Sequence, residues 1–149
     1  RNDRKLPLMF GVRIGGSGDV TATNHIWQRD DISTFVPSPV SYKGRVYMVR
    51  DRGEVECIDP VTGKTIWSDA LPKGRSSYYA SPMIANGILY APREDGALFI
   101  ASVKNDQFKL LSESELGEPV IGSPVPEQGN VLIRGEKNLY CIQSVPSNQ

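Results

Sequence analysis

The chain has 149 residues, with 17 Lys and Arg against 17 Asp and Glu, and it carries 14 glycines and 11 prolines. Balanced charge gives no electrostatic reason to bind a nucleic acid or an anionic membrane surface, and no run approaches the roughly 18 apolar residues of a membrane-crossing helix. Glycine and proline scattered among short β-rich runs predict an all-β protein with many turns, long enough to bury a real core.

The opening stretch, Arg1-Asn2-Asp3-Arg4-Lys5, is polar and has neither the apolar region nor the cleavage site of a secretory leader. Either a leader has been removed or the chain is part of a longer one. Leu6, Leu8, Phe10, Val12 and Ile14 then alternate, which predicts a strand half buried on that face. Gly15-Gly16-Ser17-Gly18-Asp19 reads as a flexible connection. It is not a phosphate loop, because no Gly-Lys-Ser/Thr and no helix pattern follow it.

From residue 36 onward the chain repeats itself. Ser38-Pro39-Val40, Ser81-Pro82-Met83 and Ser123-Pro124-Val125 stand 43 and then 42 residues apart. The same offsets relate Gly44, Gly87 and Gly129, and they relate Gly53, Gly96 and Asn138. Apolar positions stay in phase too: Val46, Leu89 and Val131, then Val55, Leu98 and Tyr140, then Cys57, Ile100 and Ile142. A period of about 40–45 residues, each holding about four short strands, predicts a propeller of four-stranded blades.

In chain order, residues 1–30 read as the back half of a blade, because His25-Ile26-Trp27-Gln28 lies 40 residues before the matching Trp67 strand. Residues 36–70 predict a full blade, with strands over 37–41, 45–50, 54–58 and 65–69. Residues 79–112 predict a second, with strands over 80–85, 88–91, 97–102 and 108–111. Residues 120–143 supply three strands of another, over 120–126, 130–134 and 139–143, and 144–149 are a tail. The middle strands Val46-Tyr47-Met48-Val49 and Ile88-Leu89-Tyr90-Ala91 are apolar on both faces. A two-sheet sandwich would place a polar residue at every second position, whereas radially stacked blades bury both faces.

One turn stands out. In Cys57-Ile58-Asp59-Pro60-Val61-Thr62-Gly63-Lys64-Thr65-Ile66-Trp67, Asp59 can bond the backbone two residues on, Pro60 presets φ and Gly63 supplies positive φ. Asp59, Thr62, Gly63 and Trp67, with Trp27, Gly53 and Gly96, resemble the structural signature of the PQQ-like β-propeller repeat. The whole chain is similar to the C-terminal part of secreted bacterial PQQ-like repeat proteins, whose full ring has about seven or eight blades. By that likeness the chain covers about three blades of such a ring and lacks the N-terminal ones. The next repeat departs from the pattern: Ser102-Val103-Lys104-Asn105-Asp106 replaces the Asp-to-Gly turn, and Leu110 stands for the Trp.

The resemblance implies two function classes. The first is a non-catalytic binding or scaffolding propeller, periplasmic or secreted, with a protein partner, similar to the outer-membrane assembly lipoproteins of this fold. The second is part of a PQQ-dependent dehydrogenase, which would need PQQ, a calcium held by Glu, Asn and Asp oxygens, a catalytic Asp and often adjacent cysteines. Cys57 and Cys141 are neither adjacent nor in matching registers, and the sequence reads both as buried apolar fillers. His25, the only histidine, has no companion ligands and reads as a surface or packing residue. Asp51, Arg52, Glu94, Asp95, Glu136 and Lys137 occupy equivalent hairpin tips and read as solvated. Trp27 and Trp67 read as docking one blade onto the next. No catalytic, cofactor or metal residue is assigned, and open blade edges predict self-association.

Overall fold

The structure, a computed structural model, describes residues 9–143. Leu6 and Leu8 of the first alternating run, and the tail 144–149, lie outside the described residues. Among the described residues the strands form four antiparallel sheets. The first pairs β1 (Met9–Val12) with β2 (His25–Arg29). The second runs in sequential order through β3 (Val40–Tyr42), β4 (Arg45–Val49), β5 (Glu54–Ile58) and β6 (Thr65–Ala70). The third repeats that order in β7 (Met83–Ala85), β8 (Ile88–Pro92), β9 (Ala97–Ser102) and β10 (Lys109–Glu115). The fourth holds β11 (Val125–Glu127), β12 (Asn130–Arg134) and β13 (Leu139–Gln143). The protein is all-β, a partial propeller of four-stranded blades.

The first two strands of each of the last three sheets are joined by the same device. Tyr42 faces Arg45, Ala85 faces Ile88 and Glu127 faces Asn130 across two-residue turns. Those turns are Lys43-Gly44, Asn86-Gly87 and Gln128-Gly129, with positive φ at both positions. Paired positive φ is the type I′ geometry, whose twist matches that of the flanking strands.

The innermost strands start later than the sequence predicts, at Val40, Met83 and Val125, each directly after a proline. Proline has no N–H to give to a ladder, and the serine before it bonds sideways instead. The Ser38 N–H donates to Ser81 Oγ at 2.9 Å, and the Ser81 N–H to Ser123 Oγ at 3.0 Å. The repeating Ser-Pro pair therefore ties β3 to β7 and β7 to β11. At the outer edge, β10 runs to Glu115, beyond its predicted end, through a bulge between Leu110 and Ser112. The glycine-rich connection carries one helical turn, α1 (Thr21–Asn24), that the periodicity does not reveal. It is too short for an apolar pattern, and Asp19 Oδ1 accepts the Thr21 N–H at its start.

Burial explains why the middle strands are apolar on both sides. Val46 and Met48 of β4 face Ile32, Ile58 and Met9, whereas Tyr47 and Val49 face the third sheet with Val55, Cys57, Leu89 and Phe99. On β9, Phe99 points to that same core, while Leu98 joins Val120, Val131 and Ile133 on the other side. Each core thus lies between two sheets. Val55, Cys57, Leu89, Ala97, Phe99 and Ile133 are all 0 % exposed.

The first strand corrects an expectation. Phe10, Val12 and Ile14 are 57 %, 51 % and 96 % exposed. The opposite face is the packed one, with Met9 against the Ile32, Met48 and Ile58 core and Gly11 beneath the Trp27 ring. Alternation marks a strand but does not say which of its faces has a neighbour, and here the neighbouring blade lies on the Met9 side.

Candidate interaction site at the blade junctions

The connectors between blades lie at one end of the sheets, with the β4–β5, β8–β9 and β12–β13 loops. Each connector is stitched to the blades on both sides by a repeated pair of bonds. The Tyr78 N–H donates to the Asp51 carbonyl at 2.9 Å, and the Glu94 N–H to the Ser77 carbonyl at 3.0 Å. One junction further on, the Val120 N–H donates to the Glu94 carbonyl at 3.0 Å, and the Glu136 N–H to the Pro119 carbonyl at 3.1 Å. Asp51, Glu94 and Glu136 therefore make these stitches through their backbones, and the Asp51 carboxylate in addition accepts the Phe35 N–H at 3.1 Å. Arg52, Asp95 and Lys137 are exposed.

Gly53 and Gly96 make these stitches sterically feasible. Both have positive φ, at 93° and 96°. A Cβ on Gly53 would lie 2.9 Å from the Tyr78 ring and 3.1 Å from the Leu71 carbonyl oxygen, and one on Gly96 would lie 2.3 Å from the Glu118 carbonyl oxygen. The glycine carbonyls accept the N–H groups of Leu71 and Leu116, closing each outer strand onto the loop.

Beside Gly96, Arg93 is almost fully buried. Its guanidinium bonds Asp95 at 2.9 Å and the Pro72 carbonyl at 3.0 Å, and lies 5.1 Å from the Phe99 ring centroid. The Arg93 hydrogen bond holds the Asp95 carboxyl below the ordinary aspartate range. Burial pushes the Tyr78 hydroxyl up to about 12, and that hydroxyl donates to the Pro72 carbonyl at 2.7 Å.

Glu118 holds the last junction. Its carboxylate accepts the N–H groups of Lys137 at 2.7 Å and Asn138 at 3.0 Å, and the Asn138 amide at 3.0 Å. Burial pushes this carboxyl up, but the hydrogen bonds it accepts from Lys137 and Asn138, with the Tyr140 hydroxyl nearby, together bring it below the usual 4.5. A depressed folded pKa contributes stability that is present above the unfolded value and is lost as pH falls through the folded one. The wild type should therefore lose urea stability as pH is lowered below about 4.5. Glu118→Gln should be less stable at pH 7 and show a shallower decline over that range. Parallel urea titrations between neutral and acid pH check this, and identical slopes would contradict it.

At the opposite end of the sheets the two indoles meet neighbouring blades differently. Asp59 Oδ1 accepts the N–H groups of Val61 at 2.8 Å and Thr62 at 3.2 Å, and the Gly63 N–H returns to the Asp59 carbonyl at 2.8 Å. This turn presents Gly63 and the Pro60 carbonyl to Trp27 of the first sheet. Trp27 Nε1 donates to Pro60 O at 2.8 Å, and its ring is held between Gly11 and Gly63, where an added Cβ would fall 2.5 Å from the indole. Arg29 adds bonds to the Gly63 carbonyl at 3.1 Å and Thr65 Oγ1 at 2.7 Å. Trp67 instead packs between Tyr47 and Phe108, both 5.9 Å away between ring centroids, and its buried Nε1 has no hydrogen-bond partner among the described residues. The turn it faces is the departed one, a 3-10 turn over Lys104–Asp106 with positive φ at Asn105 and Asp106.

The cysteines divide. Cys57 is buried and burial raises its thiol pKa, but Cys141 is exposed, correcting the reading of both as buried fillers. Cys141 lies on the face of β13 opposite Tyr140 and Ile142, which pack against the Val131 and Ile133 core. A thiol reagent should modify Cys141 rapidly in the native protein and Cys57 only after denaturation. Mass spectrometry of the labelled peptides checks this. His25 is exposed, with its ring 6.5 Å from that of Phe10. No group of three or more His, Cys, Asp or Glu with metal-binding geometry occurs among the described residues.

A cleft of about 450 Å³ opens at the Trp67 junction, between the Lys43-Gly44 turn, Asn86 and the 3-10 turn. Sequence reasoning missed it, because Lys43, Arg45 and Lys104 come together only through the stacking of two blades. The break in the repeat at residues 102–106 is the signal that marks its position.

The family model described as outer membrane protein assembly factor BamB matches residues 16–109. BamB from Moraxella catarrhalis superposes with a TM-score of 0.62 at 16 % identity, over 84 % of this chain and 38 % of that one. The computationally designed Ika4 protein gives 0.62 at 15 % identity, over 83 % of this chain and 76 % of its own. Quinohemoprotein alcohol dehydrogenase ADHIIG from Pseudomonas putida HK5 gives 0.59 at 16 % identity, over 85 % of this chain and 25 % of that one. At these identities the structures show a shared fold, and the chain spans less than two-fifths of the length of the BamB structure. No curated protein matches the sequence. With the family match covering more than half of its residues, this chain belongs to the PQQ-like β-propeller repeat family described as outer membrane protein assembly factor BamB.

Proposed function

We propose that this chain is a non-catalytic protein-binding module of the bacterial envelope, periplasmic or secreted. The observation that carries the reading is Phe35, which is 85 % exposed at the stitched end of the sheets. Its counterparts by the repeat offsets, Tyr78 and Val120, are 1 % and 0 % exposed. Val36 and Ile121, on connectors at the same end, are 47 % and 63 % exposed. Exposed large apolar side chains above a rigid scaffold suit a protein partner. The membership in a family described as an outer membrane assembly factor supports the envelope setting.

A photo-crosslinking residue at position 35 should give a discrete protein adduct in envelope extracts, and one at Val61, exposed at the other end, should not. Equal adducts from both positions would contradict the reading. Self-association through an exposed blade edge belongs to the same proposal. Light scattering that shows only monomer at micromolar concentration would remove that part.

The likeness to an alcohol dehydrogenase fold supports one alternative, a blade segment of a quinoprotein. Addition of PQQ with calcium separates the two, since a ligand that binds the native state raises its melting temperature. The binding-module reading expects no shift.

A further inference from the structure

We propose that the cleft at the Trp67 junction is a second binding site, separate from the Phe35 end, that takes an acidic peptide segment of a partner protein. The cleft is bounded by the Lys43-Gly44 turn, Arg45 and Tyr47 on one blade and by Asn86, Lys104 and Asp106 on the next. Arg45 and Asp106 pair across it at 3.2 Å, tying the two walls together. Lys43 and Lys104 have no carboxylate within salt-bridge distance among the described residues, and both are exposed. The Lys43 ammonium sits 5.6 Å from the Tyr42 ring centroid, and the Lys104 stem lies over Gly87. The wall therefore presents two held cations beside a balanced ion pair.

Residues that the propeller needs recur with its period, and these cations do not. The repeat puts Asn86 and Gln128 in the place of Lys43, Ile88 and Asn130 in the place of Arg45, and Val61 in the place of Lys104. The positive cluster is thus a property of this junction, not of the fold. It coincides with two departures from local rules. Asn105 and Asp106 hold φ of 57° and 53° in succession, where the scaffold's own positive-φ pairs end on glycine, and Trp67, stacked on the Tyr47 wall, has a buried N–H with no partner among the described residues. Local rules broken together at one place mark a functional site more often than a scaffold position. Two exposed ammonium groups bind a lone small anion weakly. An extended acidic peptide engages both at once and gains from linking the contacts.

Titration with an acetylated, amidated hexaglutamate peptide, followed by calorimetry at low and physiological salt, tests the proposal. The expected result is binding that weakens with salt and is lost by at least about tenfold in Lys43→Glu/Lys104→Glu. Lys43→Gln/Lys104→Gln should lose affinity in the same direction without charge reversal. Both variants should melt with the wild type, because the side chains are exposed. Lys73→Glu/Arg75→Glu, which reverses two exposed charges at the opposite end, should bind as the wild type does. Absence of peptide binding, equal loss in Lys73→Glu/Arg75→Glu, or full competition by glutarate or inorganic phosphate at equal charge concentration would each overturn it. Failure here leaves the Phe35 crosslinking result untouched, so the two sites are tested separately.

Discussion

Gly96→Ala is expected to destabilise the protein by about 3–4 kcal/mol, roughly a 10 °C fall in melting temperature for a chain of this size. Two costs combine. A residue with a side chain pays about 1–2 kcal/mol to hold the left-handed backbone that φ of 96° requires. The added Cβ also meets the Glu118 carbonyl oxygen at 2.3 Å, so the connector must move. Moving it disturbs the Leu116-to-Gly96 and Val120-to-Glu94 hydrogen bonds and loosens Val120, which is fully buried. Gly117→Ala is the internal control. It has φ of 79° with no atom within 4 Å of an added Cβ, and should cost only the backbone strain, about 1 kcal/mol. Equal losses in the two variants, measured by urea unfolding, would show that the stitch contributes nothing.

Trp27→Ala has the second large effect, and it should be local. The indole joins the first sheet to its neighbour together with Met9 and Arg29, seated between Gly11 and Gly63 and bonded to the Pro60 carbonyl. Removing it takes away packing worth about 3 kcal/mol and leaves the Pro60 carbonyl without that donor. The β1–β2 hairpin should detach while the Phe99 core between the second and third sheets persists. Limited proteolysis should then cut between residues 12 and 35 well before the rest of the chain is digested. Trp27→Phe keeps most of the packing and should lose about 1 kcal/mol, the worth of one hydrogen bond. A wild-type digestion pattern for Trp27→Ala would mean that Arg29, through Gly63 and Thr65, and Met9, on the Ile32 and Ile58 core, hold the hairpin without the indole.

Much of the architecture was legible because a propeller repeats a physical problem. Each blade must turn twice within a few residues and bury both faces, so Gly44, Gly87 and Gly129 and the apolar middle strands recur in phase. What the period does not carry, the sequence hides. It does not say which face of β1 has a neighbour, so Phe10 and Val12 point out where burial was expected. The exposed Cys141 has the same cause, since it lies on the face of β13 opposite Tyr140 and Ile142, away from the Val131 and Ile133 core. The inner strands start late because proline removes a ladder donor and the adjoining serine bonds the next blade, a cross-blade fact invisible along the chain. The Trp67 cleft joins residues some sixty positions apart. Only the broken turn at 102–106 hints at it.

Backbone stitching of connectors to blades is what fixes each blade against the next. The Tyr78 and Val120 amides lie outside any strand, yet both donate to carbonyls of a neighbouring hairpin loop. Amide hydrogen exchange resolved at these two residues tests this most directly. The stitched propeller predicts protection at Tyr78 and Val120 comparable to that of β5 and β9, with fast exchange at the exposed amides of Lys73 and Gly117. Exchange at Tyr78 and Val120 as fast as at Lys73 would contradict it.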